Sequence, residues 1–263
     1  MNKILLILAG CIFIYSCEKT ITPNLDAPTS QVVIQGNVTD AEGPYTVTIN
    51  KSVGFYADNT FPAVSGAVVK ISDDMGVTDS LTETSAGIYQ THTLQGQSGH
   101  TYTLSITSNA ITYAASSTMP AAVPLDSVTL NHTSGSGNKR IEAIANFQDP
   151  AGVKNYYQFE EYINGQLFTK NFYIFDDRLS DGKYIANTLR TDSSWINKGD
   201  LLKVNMYCID ENVHTYFSQL IQSSGSGAFN TTASPANPAS NISNGAFGYF
   251  SAHTVRSRTI TIN

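Results

Sequence analysis

The chain has 263 residues, and 14% of them are charged, against about 25% in a typical soluble protein. Its formal net charge is −6 and it has no cluster of lysine and arginine, which excludes the basic footprint of a nucleic-acid-binding protein. Serine, threonine, asparagine and glycine replace the missing charges, together with 14 Tyr and 12 Phe. This composition is typical of short-stranded β-structure.

The first residues have the pattern of an export signal. Lys3 precedes an apolar run over residues 4–15, and the run ends at Ser16 and Cys17. A basic start, an apolar stretch of secretory length and a small residue before a cysteine are typical of bacterial lipoproteins, in which the cysteine carries a diacylglycerol group. The sequence therefore predicts a lipoprotein signal peptide over residues 1–16 and a membrane anchor on Cys17.

Cys11 is the alternative lipid acceptor, because residues 8–11 match the usual aliphatic–small–small–cysteine pattern better. Cleavage before Cys11, however, would leave an apolar core of about six residues, whereas secretory signals have roughly seven to fifteen. It would also place the apolar residues 12–15 at the start of the mature chain. We therefore favour Cys17. The apolar run is too short for the ~20 residues of a membrane-spanning helix.

Strand patterns begin soon after the signal. Residues 17–30 contain two prolines and no periodicity, so we expect a lipidated tether. Alternating polar and apolar residues then predict short strands, with Gly-, Asp- and Asn-rich turns between them. These strands are expected over residues 32–38, 45–49, 67–71, 101–106 and 111–115. The spacing predicts an Ig-like or transthyretin-like β-sandwich over residues 31–118.

Two prolines in residues 119–125 interrupt the strand pattern and predict a linker. We expect a second β-rich domain over residues 126–263, with a hairpin turn at Asn164–Gly165. Apolar residues at i, i+3 and i+4 predict one short helix near residues 212–221. The predicted fold class is therefore all-β. With the other two cysteines in or beside the signal, Cys208 is expected to be a buried structural thiol.

One acidic loop is a candidate cation site. Asp176, Asp177 and Asp181 could supply carboxylate oxygens to Ca²⁺, which prefers hard oxygen ligands. The loop lacks the Asp-x-Asp-x-Asp-Gly spacing and the distal glutamate of a calcium-binding loop. A solvated hairpin tip is therefore the favoured interpretation, and no metal or cofactor is predicted.

No established catalytic motif is present. The five histidines have no metal-ligand spacing, and the chain has no Gly-x-Ser-x-Gly elbow, phosphate loop or dinucleotide fingerprint. Residues 180–183 match Ser-x-x-Lys but without the helix that this motif opens. We therefore expect a chain that is not an enzyme. A hydrolase whose carboxylates meet only in the folded state is the alternative.

Five aromatic residues are candidates for stacking on a sugar or docking a partner. Phe55, Tyr56 and Phe61 lie in a glycine- and proline-bounded loop, and Tyr249 and Phe250 lie near the C-terminus. Burial in a core is the alternative for each of them, and it is the favoured interpretation for the C-terminal pair.

Several segments resemble the Bacteroidetes lipoproteins of the domain-of-unknown-function family 4249. The similar segments cover the mature chain and are residues 36–40, 43–47, 64–69, 87–89, 117–120 and 235–250. The resemblance implies no activity and no catalytic residues. Similar proteins tend to be encoded beside TonB-dependent outer-membrane transporters, which implies a surface accessory role by association.

The sequence thus predicts an outer-membrane-anchored, surface-exposed lipoprotein that binds and does not catalyse. We expect it to work with a TonB-dependent transporter in nutrient capture and to bind a glycan or peptide. The alternatives are a glycan- or peptide-directed hydrolase and a structural or adhesive envelope protein.

Overall fold

The computed structural model describes residues 30–54, 57–58, 60–135, 138–168, 173–189, 196–223 and 237–263. These residues form sixteen strands and one helix, which confirms the predicted all-β fold class. The helix α1 is Glu211–Ser223. The strands are β1 Val32–Thr39, β2 Thr46–Lys51, β3 Val68–Asp73, β4 Thr78–Ser80, β5 Thr82–Ser85, β6 Ile88–Gln90, β7 Thr101–Ser108, β8 Ile111–Thr118, β9 Ser127–Gly135, β10 Asn138–Gln148, β11 Tyr156–Ile163, β12 Gln166–Leu167, β13 Tyr173–Asp176, β14 Tyr184–Leu189, β15 Leu201–Ile209 and β16 Phe247–Thr261.

One long sheet runs through the molecule in the order β12-β11-β15-β16-β1-β2-β6-β5, with β13 also paired to β11. The 15-residue strand β16 joins its two halves. Residues 247–253 pair in parallel with β1, and residues 254–261 pair antiparallel with β15. The two halves of the chain therefore share one continuous ladder of backbone hydrogen bonds.

Two smaller sheets cover one face of the long sheet. The four-stranded sheet β4-β3-β7-β8 encloses a core with β1, β2 and the first half of β16, which includes Ile34, Val47 and Leu104. The three-stranded sheet β14-β10-β9 encloses a second core with β11 and β15, which includes Phe147 and Met206. The result is two β-sandwiches side by side.

The C-terminal strand belongs to both sandwiches. Phe250 and Ala252 are fully buried in the first core, although the sequence analysis grouped them with residues 126–263. Since successive strand residues face opposite sides, Tyr249 lies on the other face of the long sheet. The proposed boundary at residues 119–125 stays a prediction, but residues 246–252 pack with residues 31–118.

Helix α1 packs on the opposite face of the long sheet, and it is two residues longer at its C-terminal end and one at its N-terminal end than predicted. Asp210 caps it, because its Oδ1 accepts the Val213 N–H at 2.8 Å. Val213 and Phe217 are buried against Ile209, and Tyr249 packs against this cluster. No helix in the described part of the chain is long and apolar enough to cross a membrane.

Candidate functional site

A groove lies beside helix α1. Three adjoining cavities of about 680, 350 and 340 Å³ follow β13, the loop after it and the polar side of α1. The first two cavities share Asp176 and Arg178, and the last two share Ser218 and Gln222. We call this feature the α1 groove. The volume of each cavity lies in the range of small-molecule sites.

Nine polar or charged side chains line the middle cavity, and four of them, from β11, β13, the loop after β13 and α1, contact one another. Tyr156 pairs with Asp176 across β11 and β13, and α1 places His214 against both. The His214 Nε2 lies 3.8 Å from Asp176 Oδ2, and its ring centroid lies 4.9 Å from that of Tyr156. The Arg178 Nε donates to Asp176 Oδ1 at 2.7 Å.

These contacts set the charges in the groove. The hydrogen bond from Arg178 lowers the pKa of the Asp176 carboxyl, so this group stays ionised at neutral pH. Burial lowers the pKa of His214, which favours the neutral imidazole. Burial also raises the pKa of Tyr156, so its hydroxyl keeps its proton. The Arg178 side chain is 81% exposed and can donate further hydrogen bonds.

The arrangement suits recognition of a polar ligand. The groove offers a guanidinium, two carboxylates, a neutral imidazole, a phenol and the amides of Gln219 and Gln222, which together can donate and accept hydrogen bonds. Among the described residues, no serine, threonine or cysteine makes a hydrogen bond with the His214 ring. A sugar or peptide presents matching hydroxyl, amide and carboxylate groups.

A second polar cluster lies on the other side of the same loop. Asp149 follows β10, and Asp177 and Asp181 lie between β13 and β14. One carboxylate oxygen from each lies within 4.8 Å of the others. Asp149 is 1% exposed and Asp177 is 4% exposed, whereas Asp181 is exposed. We call these three residues the acidic cluster.

Each carboxylate of the acidic cluster also accepts hydrogen bonds from the surrounding loops. These bonds fix the three side chains in place and tie the loop after β10 to the loop after β13. They are Tyr157 O–H to Asp149 Oδ1 at 2.5 Å, Gly182 N–H to Asp149 Oδ2 at 3.0 Å, Asn155 N–H to Asp177 Oδ2 at 2.8 Å and Gly152 N–H to Asp181 Oδ1 at 2.8 Å.

The structure separates the three aspartates that the sequence analysis grouped. Asp177 and Asp181 join the acidic cluster, but Asp176 faces His214 and Arg178. Asp176 is the last residue of an extended strand, so its side chain and that of Asp177 point to different sides. Pairing of β10 with β14 brings in Asp149, which is distant in sequence and could not be found from loop spacing.

The aromatic candidates do not form one platform. Phe250 is fully buried in the first core and offers no stacking face. Tyr249 packs against Tyr216 and Phe217 of α1, at ring-centroid distances of 5.2 and 4.9 Å. Phe61 is 54% exposed. Phe55 and Tyr56 lie outside the described residues, so their role stays a prediction.

Of the three cysteines, only Cys208 lies among the residues that the structure describes. Cys208 is buried in the second core, and burial raises the pKa of its thiol, as expected for a structural cysteine. The lipid acceptor Cys17, its alternative Cys11 and the signal peptide over residues 1–16 lie outside the described residues. The tether over residues 17–30 lies outside them too, except for Ser30. The anchor and the tether stay predictions.

Sequence reasoning missed the groove because its parts are far apart along the chain. The five histidines have no metal-ligand spacing in the sequence, and Asp176, the neighbour of His214, comes from another element. A partial signal was available, since His214, Ser218 and Gln222 recur every fourth residue and form a polar stripe on one side of the helix.

A family model described as "Domain of unknown function (DUF4249)" matches residues 18–259. No curated protein matches the chain.

Proposed function

Because the chain belongs to the DUF4249 family, whose description assigns no activity, we propose a function from its own residues. The protein is a lipid-anchored binding protein of the bacterial cell envelope, held to the outer membrane by Cys17. It captures a glycan or peptide in the α1 groove and passes it to a TonB-dependent transporter. It binds its ligand without chemical conversion.

The α1 groove is the observation that carries the binding role. Its polar groups converge on one cavity, and two of them, Asp176 and His214, are held by contacts within the protein. A site held in place before binding loses less conformational entropy when a ligand enters. The exposed Arg178 favours a ligand that carries a carboxylate or several hydroxyl groups.

The anchor rests on the sequence pattern around Cys17. Residues 17–30 could span up to about 50 Å when extended, which is enough to hold the sandwiches clear of the membrane surface. Metabolic labelling with a clickable fatty acid tests the anchor. The label should be lost in Cys17→Ser and kept in Cys11→Ser, and label retention in Cys17→Ser would contradict the assignment.

Binding is tested by probing glycan and peptide arrays with the purified chain in detergent. A probe that binds through the groove should lose at least ten-fold in affinity on Arg178→Ala. The control Lys70→Ala removes an exposed cation from β3, on the other sandwich, and should bind as the wild type does. Equal loss in both variants would mean that charge alone, and not the groove, drives the binding.

A hydrolase is the second candidate function, since an imidazole and a carboxylate lie together in the middle cavity. His214→Ala would then abolish turnover of a glycan or peptide substrate that the wild type cleaves. Binding by the wild type without any cleavage, over a panel of such substrates, would favour the binding protein.

A further inference from the structure

We propose that the acidic cluster is a calcium-binding site, with Asp149, Asp177 and Asp181 as ligands. This goes beyond the binding role proposed above, since it requires neither the groove ligand nor the lipid anchor. The cluster lies on the opposite side of the loop from Asp176, which lines the α1 groove.

Burial and charge give the first argument. Asp149 and Asp177 are almost completely buried, and their carboxylates lie close to each other and to that of Asp181. The salt bridges among the described residues involve Asp40, Asp74, Asp79 and Asp176, and none involves the acidic cluster. Buried carboxylates are costly unless they are paired or bind a metal.

Two basic side chains close to the cluster in sequence do not neutralise it. The nearer one, Arg178, pairs with Asp176. Lys183 lies in the same turn, but its Nζ donates to the carbonyl oxygen of Leu179 at 3.0 Å. The hydrogen bonds from Tyr157 and from three backbone N–H groups stabilise the carboxylates but do not remove their mutual repulsion. A divalent cation between the three carboxylates would attract each of them and offset that repulsion.

Two unpartnered, buried oxygen atoms in the two loops that carry the cluster give the second, independent argument. The Asn155 Oδ1 is buried without a hydrogen-bond partner, and this residue is only 6% exposed. Asn155 is held against the cluster by both of its backbone groups, since its N–H donates to Asp177 Oδ2 and its carbonyl accepts from Asp177 N–H at 3.3 Å. The Ser180 Oγ, in the turn that Asp177 opens, is likewise buried without a partner.

Distances and ligand chemistry favour calcium over other metals. The three carboxylate oxygens lie within 4.8 Å of one another, which is close to the spacing of oxygens around one Ca²⁺ ion at 2.3–2.6 Å. The carboxylates, and the unpartnered oxygen atoms of Asn155 and Ser180 in the same loops, are all oxygen donors. Such a set suits Ca²⁺ and gives none of the nitrogen or sulfur ligands that zinc prefers. Irregular loops also suit the flexible geometry of Ca²⁺ better than the strict octahedron of Mg²⁺.

Calcium at this position would cross-link the loop over residues 149–155 to the loop over residues 177–183. The second loop begins directly after Asp176 and includes Arg178, and both residues line the α1 groove. A well-ordered loop would therefore hold the Arg178 side chain in place in the groove. If both proposals hold, calcium also sets the affinity of the groove.

The test is a titration of the full chain in detergent after dialysis against EDTA. Calcium chloride should bind with one-to-one stoichiometry by isothermal titration calorimetry and should raise the unfolding temperature. Asp181→Asn should weaken the affinity at least ten-fold, since it removes one of three charges from an exposed position. Asp176→Asn is the control, at the end of β13 directly before this loop, and should bind calcium as the wild type does.

Terbium gives a second readout, because this calcium analogue emits strongly when a nearby aromatic ring transfers energy to it. Tyr157 donates to Asp149 and should sensitise a terbium ion bound there. Calcium should displace the terbium signal in the wild type and in Asp176→Asn. Absence of binding, unchanged affinity in Asp181→Asn, or equal loss in Asp176→Asn would each overturn the proposal. None of these outcomes tests the binding role of the α1 groove, because no groove ligand is present in the titration.

Discussion

Gly248 should be one of the least replaceable residues in this chain. It lies in β16 at a φ of +101°, where the strand pairs in parallel with β1. A Cβ atom at this position would lie 1.9 Å from the carbonyl oxygen of Ile34, whereas real Cβ contacts are essentially never shorter than 3.0 Å. Gly248→Ala therefore requires the two strands to move apart by about 1 Å.

Two terms contribute to the expected cost. A side chain held at positive φ costs about 1–3 kcal/mol. Separation of β1 from β16 would weaken at least two ladder hydrogen bonds, each contributing about 1 kcal/mol. We therefore expect Gly248→Ala to lower the free energy of unfolding by about 3–5 kcal/mol, a large part of the 5–15 kcal/mol of a typical protein.

Gly199→Ala is the matched control. Gly199 has a similar φ of +96°, but nothing lies within 4 Å of its would-be Cβ, so its replacement should cost only the backbone term. Urea unfolding followed by circular dichroism compares the two variants. If Gly248→Ala lies within 1 kcal/mol of Gly199→Ala, the close pairing of β1 with β16 is refuted.

Three further predictions concern buried polar groups. Burial lowers the pKa of His253 to about 4 from 6.5, so the unfolded chain alone gains a proton between these values. The free energy of unfolding should fall by about 3 kcal/mol as the pH drops from 7 to 4, and His253→Gln should remove this part of the slope in urea titrations. Asp79→Ala leaves three backbone N–H groups of residues 92–94 without their acceptor and should lower the free energy of unfolding by at least about 2 kcal/mol. Asp73→Ala is the control, because the hydrogen bonds of Asp73 are exposed to solvent, and it should cost less than about 1 kcal/mol. Asp210→Ala removes the cap of α1 and should cost about 1 kcal/mol, with faster hydrogen exchange in the first turn of the helix; unchanged exchange there would contradict the capping role.

Local features of the fold could be predicted because they depend on neighbouring residues. The alternation in residues 101–106 and 111–115 predicted the hairpin of β7 and β8, and Asn164–Gly165 forms the predicted turn with positive φ at both residues. The apolar spacing predicted α1 to within two residues at each end. In each case, side-chain periodicity or turn chemistry within about ten residues was sufficient.

The arrangement of these elements could not be predicted in the same way. Parallel pairing of β1 with β16 joins residues more than 200 positions apart, and nothing in either strand specifies its partner. The acidic cluster depends on the pairing of β10 with β14, and the α1 groove on the packing of α1 beside β13. The pair Tyr249 and Phe250 shows the limit for single residues, since alternation places them on opposite faces but does not say which face is covered.

The proposed function is tested most directly by purifying the tagged protein from outer membranes in a mild detergent and identifying by mass spectrometry what is recovered with it. We expect a TonB-dependent transporter in stoichiometric amount with the wild type, and its loss with Cys17→Ser, which removes the anchor. Recovery of the wild-type lipoprotein alone would contradict a stable role beside such a transporter.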